Sequence, residues 1–172
     1  MLILPAAEAD LDAVVVLVNS AYRGKSEGWT TEDDYIDGQR TDGVILRADL
    51  AENPDAVLLL LRDEADGPIL GTVWLEPAGE ETWYLGMFTV RPDLQGGQRG
   101  RGFLERAEAY ARERGARRMK MTVVNVRDTL IAWYQRRGYA LTGETQAFPY
   151  GDERFGKPKR DDLFFVVMEK GL

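Results

Sequence analysis

Trp83-Tyr-Leu-Gly-Met-Phe-Thr-Val90 runs without a break into Arg91-Pro-Asp-Leu-Gln-Gly-Gly-Gln-Arg-Gly-Arg-Gly102, and the chain continues as Phe103-Leu-Glu-Arg-Ala-Glu-Ala-Tyr-Ala111. The first piece is rich in branched and aromatic residues, which favour a pleated strand. In the third, Phe103, Leu104, Ala107, Tyr110 and Ala111 fall on one helical face, and Gly115 supplies a stop. Between them the glycines let the backbone come close to a ligand, and the unpaired N–H groups of a helix start, helped by its dipole, favour anions. Residues 95–102 therefore read as a phosphate-binding turn. Two better-known phosphate loops do not fit. The segment has no lysine for a Walker loop, and Gly100-Arg-Gly102 is followed three residues later by Glu105, where a dinucleotide fingerprint needs glycine. A Gly-rich turn whose arginines merely face water is the bland alternative at this point.

The same kinds of signal extend outward. Residues 57–61 and 69–75, with 83–90, are separated by Asp66-Gly-Pro68 and Pro77-Ala-Gly79 and read as consecutive antiparallel strands. Before them, a short apolar run from Leu2 to Leu4 precedes Leu11, Val14, Val15, Val18 and Tyr22 at helical spacing, which predicts an amphipathic helix over 8–22. Residues 23–28 break it, and Thr31-Glu-Asp-Asp34 resembles a cap opening a second helical piece. Downstream, Met119, Met121 and Val123 alternate with polar residues as a strand. Leu130, Ile131, Trp133 and Tyr134 then sit on a short helix that stops at Gly138, and residues 140–145 and 163–169 supply two more strands. No repeat or linker divides the chain, and 172 residues suit one core, so it reads as a single domain over 1–172.

Composition narrows the chemistry. There is no His and no Cys, which excludes serine–histidine triads, thiol nucleophiles, disulfides and thiolate or imidazole zinc sites; no metal is expected. Catalysis is left to carboxylates, tyrosines, lysines, hydroxyls and backbone groups, where positioning counts for more than a strong nucleophile. The net charge of −7 argues against general nucleic-acid binding. From Arg91 to Arg118, however, eight arginines face four acids, a local +4 that leaves −11 for the rest, as a small polyanionic ligand held at one place would require. A solvated mixed-charge helix explains the same count. The start has no basic region before Glu8, and no uncharged stretch approaches the roughly 20 residues of a membrane span, so a cytoplasmic protein with no membrane partner is expected.

The run Met87-Phe-Thr-Val-Arg-Pro-Asp-Leu-Gln-Gly-Gly-Gln-Arg-Gly-Arg-Gly-Phe-Leu104, with the later Trp133-Tyr-Gln-Arg-Arg-Gly-Tyr139, resembles the GNAT superfamily of N-acetyltransferases, and the element order agrees over essentially the whole chain. The family loop reads Gln/Arg-x-x-Gly-x-Gly/Ala. Gln95 and Gly100 match its ends, whereas Gln98 stands where glycine is usual. The resemblance implies an α/β (α+β) fold with a mixed, mostly antiparallel central sheet of about six to seven strands flanked by about four helices. It implies acetyl-CoA as co-substrate, with its pyrophosphate on the backbone of Gln95, Gly96, Gly97, Gln98, Arg99, Gly100 and Arg101 and the arginines as charge partners. It also implies that the strand through Phe88, Thr89 and Val90 splays from its neighbour, often at a bulge, to admit the pantetheine arm. A backbone N–H near Phe88 would then stabilise the thioester oxyanion.

Tyr134 matches the tyrosine of the family's Tyr-x-x-x-Gly-Phe/Tyr pattern, which implies a cofactor contact and a catalytic role as proton donor to the departing thiolate. On helical spacing alone it is equally a core aromatic, one turn beyond Leu130. Arg127 stands where many relatives carry an asparagine that contacts pantetheine, with Asn125 nearby as a substitute. The strand at 82–90 holds no carboxylate. Glu76 and Glu81 lie near strand ends, and no base is assigned. A small amine or amino-acid-like acceptor would enter between the first helix with its loop and the connection Phe148-Pro-Tyr-Gly-Asp-Glu-Arg-Phe155, with Tyr22, Trp29, Tyr150 and Arg154 as contacts. The resemblance admits a homodimer. A non-catalytic acyl-CoA-binding or sensing domain of the same fold is the alternative function.

Overall fold

The computed structural model describes residues 1–24 and 28–172; residues 25–27, inside the break expected over 23–28, lie outside the described residues. In chain order the elements are β1 (Leu2–Pro5), α1 (Leu11–Arg23), β2 (Ile36–Asp37), α2 (Gly43–Glu52), β3 (Val57–Arg62), β4 (Gly71–Pro77), β5 (Thr82–Val90), α3 (Arg99–Glu113), β6 (Arg118–Val124), α4 (Asp128–Gln135), β7 (Ala140–Ala147), β8 (Lys157–Pro158) and β9 (Phe164–Gly171). One sheet takes seven strands in the order β1-β3-β4-β5-β6-β9-β7, and β2 and β8 make a separate ribbon. Every neighbouring pair in the large sheet is antiparallel except β5 with β6.

The leucine run of β3 shows how the layers form. Leu59 and Leu61 point into a core under α3 and α4 with Phe103, Leu104 and Met119, while Leu58 and Leu60 point to the other face and pack with Leu11, Val14 and Val18 of α1 and Leu46 of α2. A strand covered on both faces has no polar side, so its sequence is a run rather than an alternation. Each such leucine contributes about 1.5–3 kcal/mol by burial. At the far edge β7 is exposed along its whole length, and its pairing with β9 shifts register between Leu141 and Thr145, an irregularity that blunts an open edge.

One expected element moves. Thr31-Glu-Asp-Asp34 does not open a helix: the Thr31 hydroxyl donates to the Gly24 carbonyl and accepts from the Asp33 amide, and the Glu32 carboxylate is taken by Arg23 and Arg127. The cap-forming groups are consumed by other contacts, and the chain makes one turn before β2. The second helix starts at Gly43, where Asp42 caps it by accepting from the Ile45 amide at 2.8 Å. Among the described residues no helix is long and apolar enough to cross a membrane.

Candidate active site

The site begins where the sheet divides. β5 and β6 pair only from Thr82 to Tyr84 opposite Arg118 to Lys120, and a last tie crosses between the Tyr84 and Thr122 hydroxyls at 3.4 Å. Beyond that point the strands separate, and a cavity of about 280 Å³ opens between Leu85–Phe88 and Met121–Val124. The divergence coincides with a bulge. Thr72 pairs with Thr89 and Trp74 with Gly86, so Met87 and Phe88 together oppose Val73, and Met87 takes φ +50°. A left-handed conformation at a non-glycine residue costs about 1–3 kcal/mol and holds only where the surroundings enforce it. Here it turns β5 away from β6 and carries Phe88 and Val90 into a second cavity of about 370 Å³.

That second cavity is floored by the glycine turn. Among the described residues no carbonyl accepts from the amides of Gly96 through Arg101, and the first bond of this end of α3 runs from the Gly102 amide to the Gln98 carbonyl. Gly96, at φ +87°, makes the turn, and a Cβ on Gly100 would project beside Trp133 and Val90 with 3.6 Å clearance or more. Gln98 has φ −79° and ψ −5°, ordinary right-handed geometry, so this position does not need the glycine usual there. The side chain of Gln98 makes no capping bond and lines the cavity. Such a row of open amides at a helix start fits an anion such as a pyrophosphate. The cationic side chains on the cavity wall are Arg136, Arg137 and Arg127. Arg99 instead pairs with Asp63 and Arg101 with Glu105, and neither arginine lines the cavity, so their side chains are not the charge partners expected there.

α4 sets the opposite wall. It ends in a turn at Gly138, φ +96°, where the Gly138 amide donates to the Gln135 carbonyl and the Tyr139 amide to that of Tyr134. This glycine-dependent closure folds Tyr139 back against Tyr134, ring centroids 5.7 Å apart, and the Tyr139 hydroxyl is fixed by Glu108 at 2.9 Å. The Tyr-x-x-x-Gly-Tyr spacing is thus a device for locking the Tyr134 ring, which Trp133 also meets edge to face, centroids 5.1 Å apart. The Tyr134 hydroxyl has no hydrogen-bond partner among the described residues, and burial pushes its phenol above the ordinary value, so it is a protonated donor at neutral pH. Tyr22, Phe88, Arg127, Leu130 and Tyr134 line both cavities, so the two meet against one face of α4.

A polar staple joins the walls. The Gln95 carboxamide donates to the Thr30 hydroxyl at 2.8 Å and to the Val90 carbonyl at 2.9 Å, and a Cβ on Gly28 would run into it. Arg127 donates to the Thr30 carbonyl and to Glu32 at 3.2 Å, and Glu32 also holds Arg23 at 2.6 Å. This cluster is almost wholly buried, which demands such pairing. The Tyr22 hydroxyl donates to the Phe88 carbonyl at 3.1 Å where the cavities meet, and burial raises its phenol as well.

The other expected residues distribute unevenly. Trp29 lines the glycine-turn cavity, its ring 6.2 Å from Trp133, and does not reach the cavity between β5 and β6. Thr89 is buried and its hydroxyl donates to the Met87 carbonyl, bracing the bulge from outside both cavities. Tyr150 and Arg154 are not brought to either cavity: the Tyr150 hydroxyl donates to the Arg160 carbonyl and accepts from the Leu163 amide, and Arg154 folds onto Asp152. The Asn125 carboxamide donates to the Asp162 carbonyl and accepts from the Phe164 amide, and Asn125 lines neither cavity, so it does not substitute for the asparagine that Arg127 replaces. Glu76 and Glu81 line neither cavity. The sequence reading missed Thr30, Glu32, Arg40, Arg136 and Arg137. Only the last two carried a signal, since Arg136 and Arg137 lie three and four residues after Trp133 and share its helix face. Among the described residues no cluster of acids is disposed to hold a metal.

Comparison with known proteins agrees with this architecture. Residues 15–139 match the Acetyltransferase (GNAT) family. The chain is 28% identical over 161 residues to an IAA acetyltransferase of Azospirillum brasilense, covering 94% of this chain and 92% of that one. Its fold is similar to the crystal structure of a ribosomal-protein-alanine N-acetyltransferase from Brucella melitensis, with TM-score 0.71 and 22% identity over 100% of both chains. It is similar as well to the PaiA N-acetyltransferase of Thermoplasma acidophilum solved with coenzyme A, with TM-score 0.66 and 14% identity over 99% of this chain and 98% of that one. With most of its length matched by the family and the split strands, glycine turn and locked tyrosine all present, the chain belongs to the acetyltransferase (GNAT) family.

Proposed function

We propose that the protein moves an acetyl group from acetyl-CoA directly to the amine of a small molecule. The observation that carries this is the junction of the two cavities at Tyr134, one floored by open amides suited to a pyrophosphate and the other entering between β5 and β6. Acetyl-CoA, when bound, supplies a thioester at that junction. The bulge at Met87 and Phe88 leaves a peptide group out of the ladder, and β6 does not pair there, so an amide of this stretch is the donor for the carbonyl oxygen as it gains charge. The amine nitrogen bonds to the carbonyl carbon, the carbon–sulfur bond breaks, the nitrogen gives up a proton and the sulfur takes one.

Tyr134 is the donor to sulfur. A thiol titrates near 8.5 and an ordinary phenol near 10, so a buried phenol hands its proton over only as the sulfur is expelled and is refilled by the proton the amine releases. Glu32 is the only carboxylate on the described walls of either cavity, and two arginines hold it. The amine therefore enters already neutral or loses its proton to water. With no cysteine in the chain, transfer through an enzyme thioester does not arise.

Calorimetric titration with acetyl-CoA, beside a Gly100→Glu variant, tests the reading. The added carboxylate enters the cavity beside Trp133 and repels a pyrophosphate. Micromolar binding that weakens by about 100-fold or more in the variant, roughly 3 kcal/mol, is expected. Absence of binding by the native protein overturns it.

A further inference from the structure

The arginines around the glycine turn divide into two groups. Arg91 pairs with Asp93 at 2.7 Å, Arg99 with Asp63 and Arg101 with Glu105 at 3.0 Å, and Arg127 with Glu32 at 3.2 Å. Arg136 and Arg137, which follow α4 directly, line the glycine-turn cavity, and among the described residues no carboxylate pairs with either. The Arg137 guanidinium lies over the Trp133 ring, 4.4 Å from its centre, and one Nη donates to the Trp133 carbonyl at 3.4 Å, while its buried Nε has no acceptor among the described residues. Trp133 in turn borders the open amides, its ring 3.6 Å from where a Cβ on Gly100 would stand, so the guanidinium is set one indole ring away from the turn. Both arginines also line an adjoining hollow of about 240 Å³, where Arg101 is taken by Glu105 and Lys170 by Glu108. Burial, and the neighbouring charges of Arg136 and Arg101, press the Arg137 guanidinium below its ordinary value: cations crowd together here.

We propose that Arg136 and Arg137 seat the 3′-phosphate of coenzyme A beside its pyrophosphate and make the protein select CoA over its dephospho form; this rests on the acetyl-CoA reading above. Besides the pyrophosphate, coenzyme A carries a phosphomonoester on its ribose, with a charge of about −1.5 to −2 at neutral pH. The open amides suit the pyrophosphate without help from a side-chain cation. A near-dianion beyond the turn calls for full positive charges, and the two consecutive arginines supply them. A guanidinium takes a phosphate through two parallel bonds, and the stack on Trp133 fixes the plane of Arg137 in advance, so little side-chain freedom is left to lose. A cofactor without the monoester leaves the two cations side by side with no anion to share.

The test is calorimetric titration of the full chain with CoA and with 3′-dephospho-CoA, at low and at high salt. CoA is expected to bind about 10- to 100-fold more tightly, the worth of a charge-assisted contact, and the gap is expected to narrow as salt screens it. Arg137→Gln and Arg136→Gln are each expected to weaken CoA by about 5- to 20-fold and to leave dephospho-CoA within about twofold, so the second ligand reports on a damaged fold. Arg137→Lys is expected to keep part of the preference, and the double Gln variant to abolish it. Equal affinity of the native protein for the two ligands overturns the proposal and leaves the acetyl-transfer reading standing. Variants that weaken both ligands by the same factor overturn it as well, since the arginines then serve the pyrophosphate or the fold. Binding of neither ligand by the native protein removes both readings.

Discussion

Replacing Tyr134 by Phe separates a catalytic from a structural tyrosine, because the structure predicts opposite consequences for the two roles. The hydroxyl has no partner among the described residues, while the ring is held by Trp133 and Tyr139, contacts that phenylalanine keeps. Losing an unpartnered hydroxyl removes no hydrogen bond from the fold, so stability should change by less than about 0.5 kcal/mol, or about 2 °C in Tm for a chain of this size. Turnover should fall by about 10- to 1000-fold, or roughly 1.4–4 kcal/mol of transition-state stabilisation, with KM for acetyl-CoA nearly unchanged. Thermal melting and thiol release on the same preparation give both numbers. Unchanged turnover refutes the proton-donor role, and a collapse in Tm refutes the premise that the hydroxyl is idle in the fold.

Glu32→Ala leaves the buried Arg127 guanidinium without its carboxylate and should cost about 3–5 kcal/mol, lowering Tm by roughly 6–20 °C; a shift under about 2 °C would contradict the pairing. Gln95→Ala cuts the staple between the turn and Thr30, so calorimetry and steady-state kinetics should show acetyl-CoA and acceptor weakened together, each by about 5- to 20-fold, rather than one alone. Burial raises the phenols of Tyr22, Tyr134 and Tyr139 above the unfolded value near 10, so the native state holds protons that the unfolded chain has lost. Their contribution to stability is complete below about pH 10 and is lost as pH rises from there toward the folded values, by about 1.4 kcal/mol per unit per tyrosine; urea midpoints should fall across that range and fall less steeply in Tyr134→Phe. With no carboxylate at liberty in the described lining, log kcat/KM should rise with pH at unit slope up to a break that follows the acceptor's own pKa. A break fixed across acceptors would reveal an enzyme base.

Most of the fold was legible because its determinants are local. The glycine stops at Gly115 and Gly138, the apolar period of α1 and the turn signals between β3, β4 and β5 each specify structure within a few residues. What misled was Thr31-Glu-Asp-Asp34, whose groups serve partners as distant as Arg127, and a capping pattern does not announce a partner 95 residues away. The glycine turn and Tyr134 were visible for the same local reason, since both depend on a special backbone angle next to a helix end. Arg40 and Glu32 reach the cavity only through the path of the α1–α2 connection, and no period records that path. Tyr150 and Arg154 showed the converse failure. An aromatic, charged connector looks like a substrate loop, yet Tyr150 pins its own strand entry and Arg154 closes on a neighbour two residues away.

The two departures from the family pattern have a physical account once the conformations are known. Glycine is needed where φ is positive or a Cβ would collide, and position 98 has neither requirement, because the left-handed step of this turn is taken at Gly96. A carboxamide at position 98 therefore adds a side chain to the cavity wall without disturbing the amides behind it. Arg127 is a larger change, since a buried guanidinium is unaffordable alone. It is accommodated by Glu32 and the Thr30 carbonyl, both in the segment between α1 and β2. The arginine and that segment consequently hold one another in place, and Arg127 stands in the walls of both cavities. Glu32→Ala, which cuts one end of that tie, and Gln95→Ala, which cuts the neighbouring contact with Thr30, should then each be felt in binding as well as in stability.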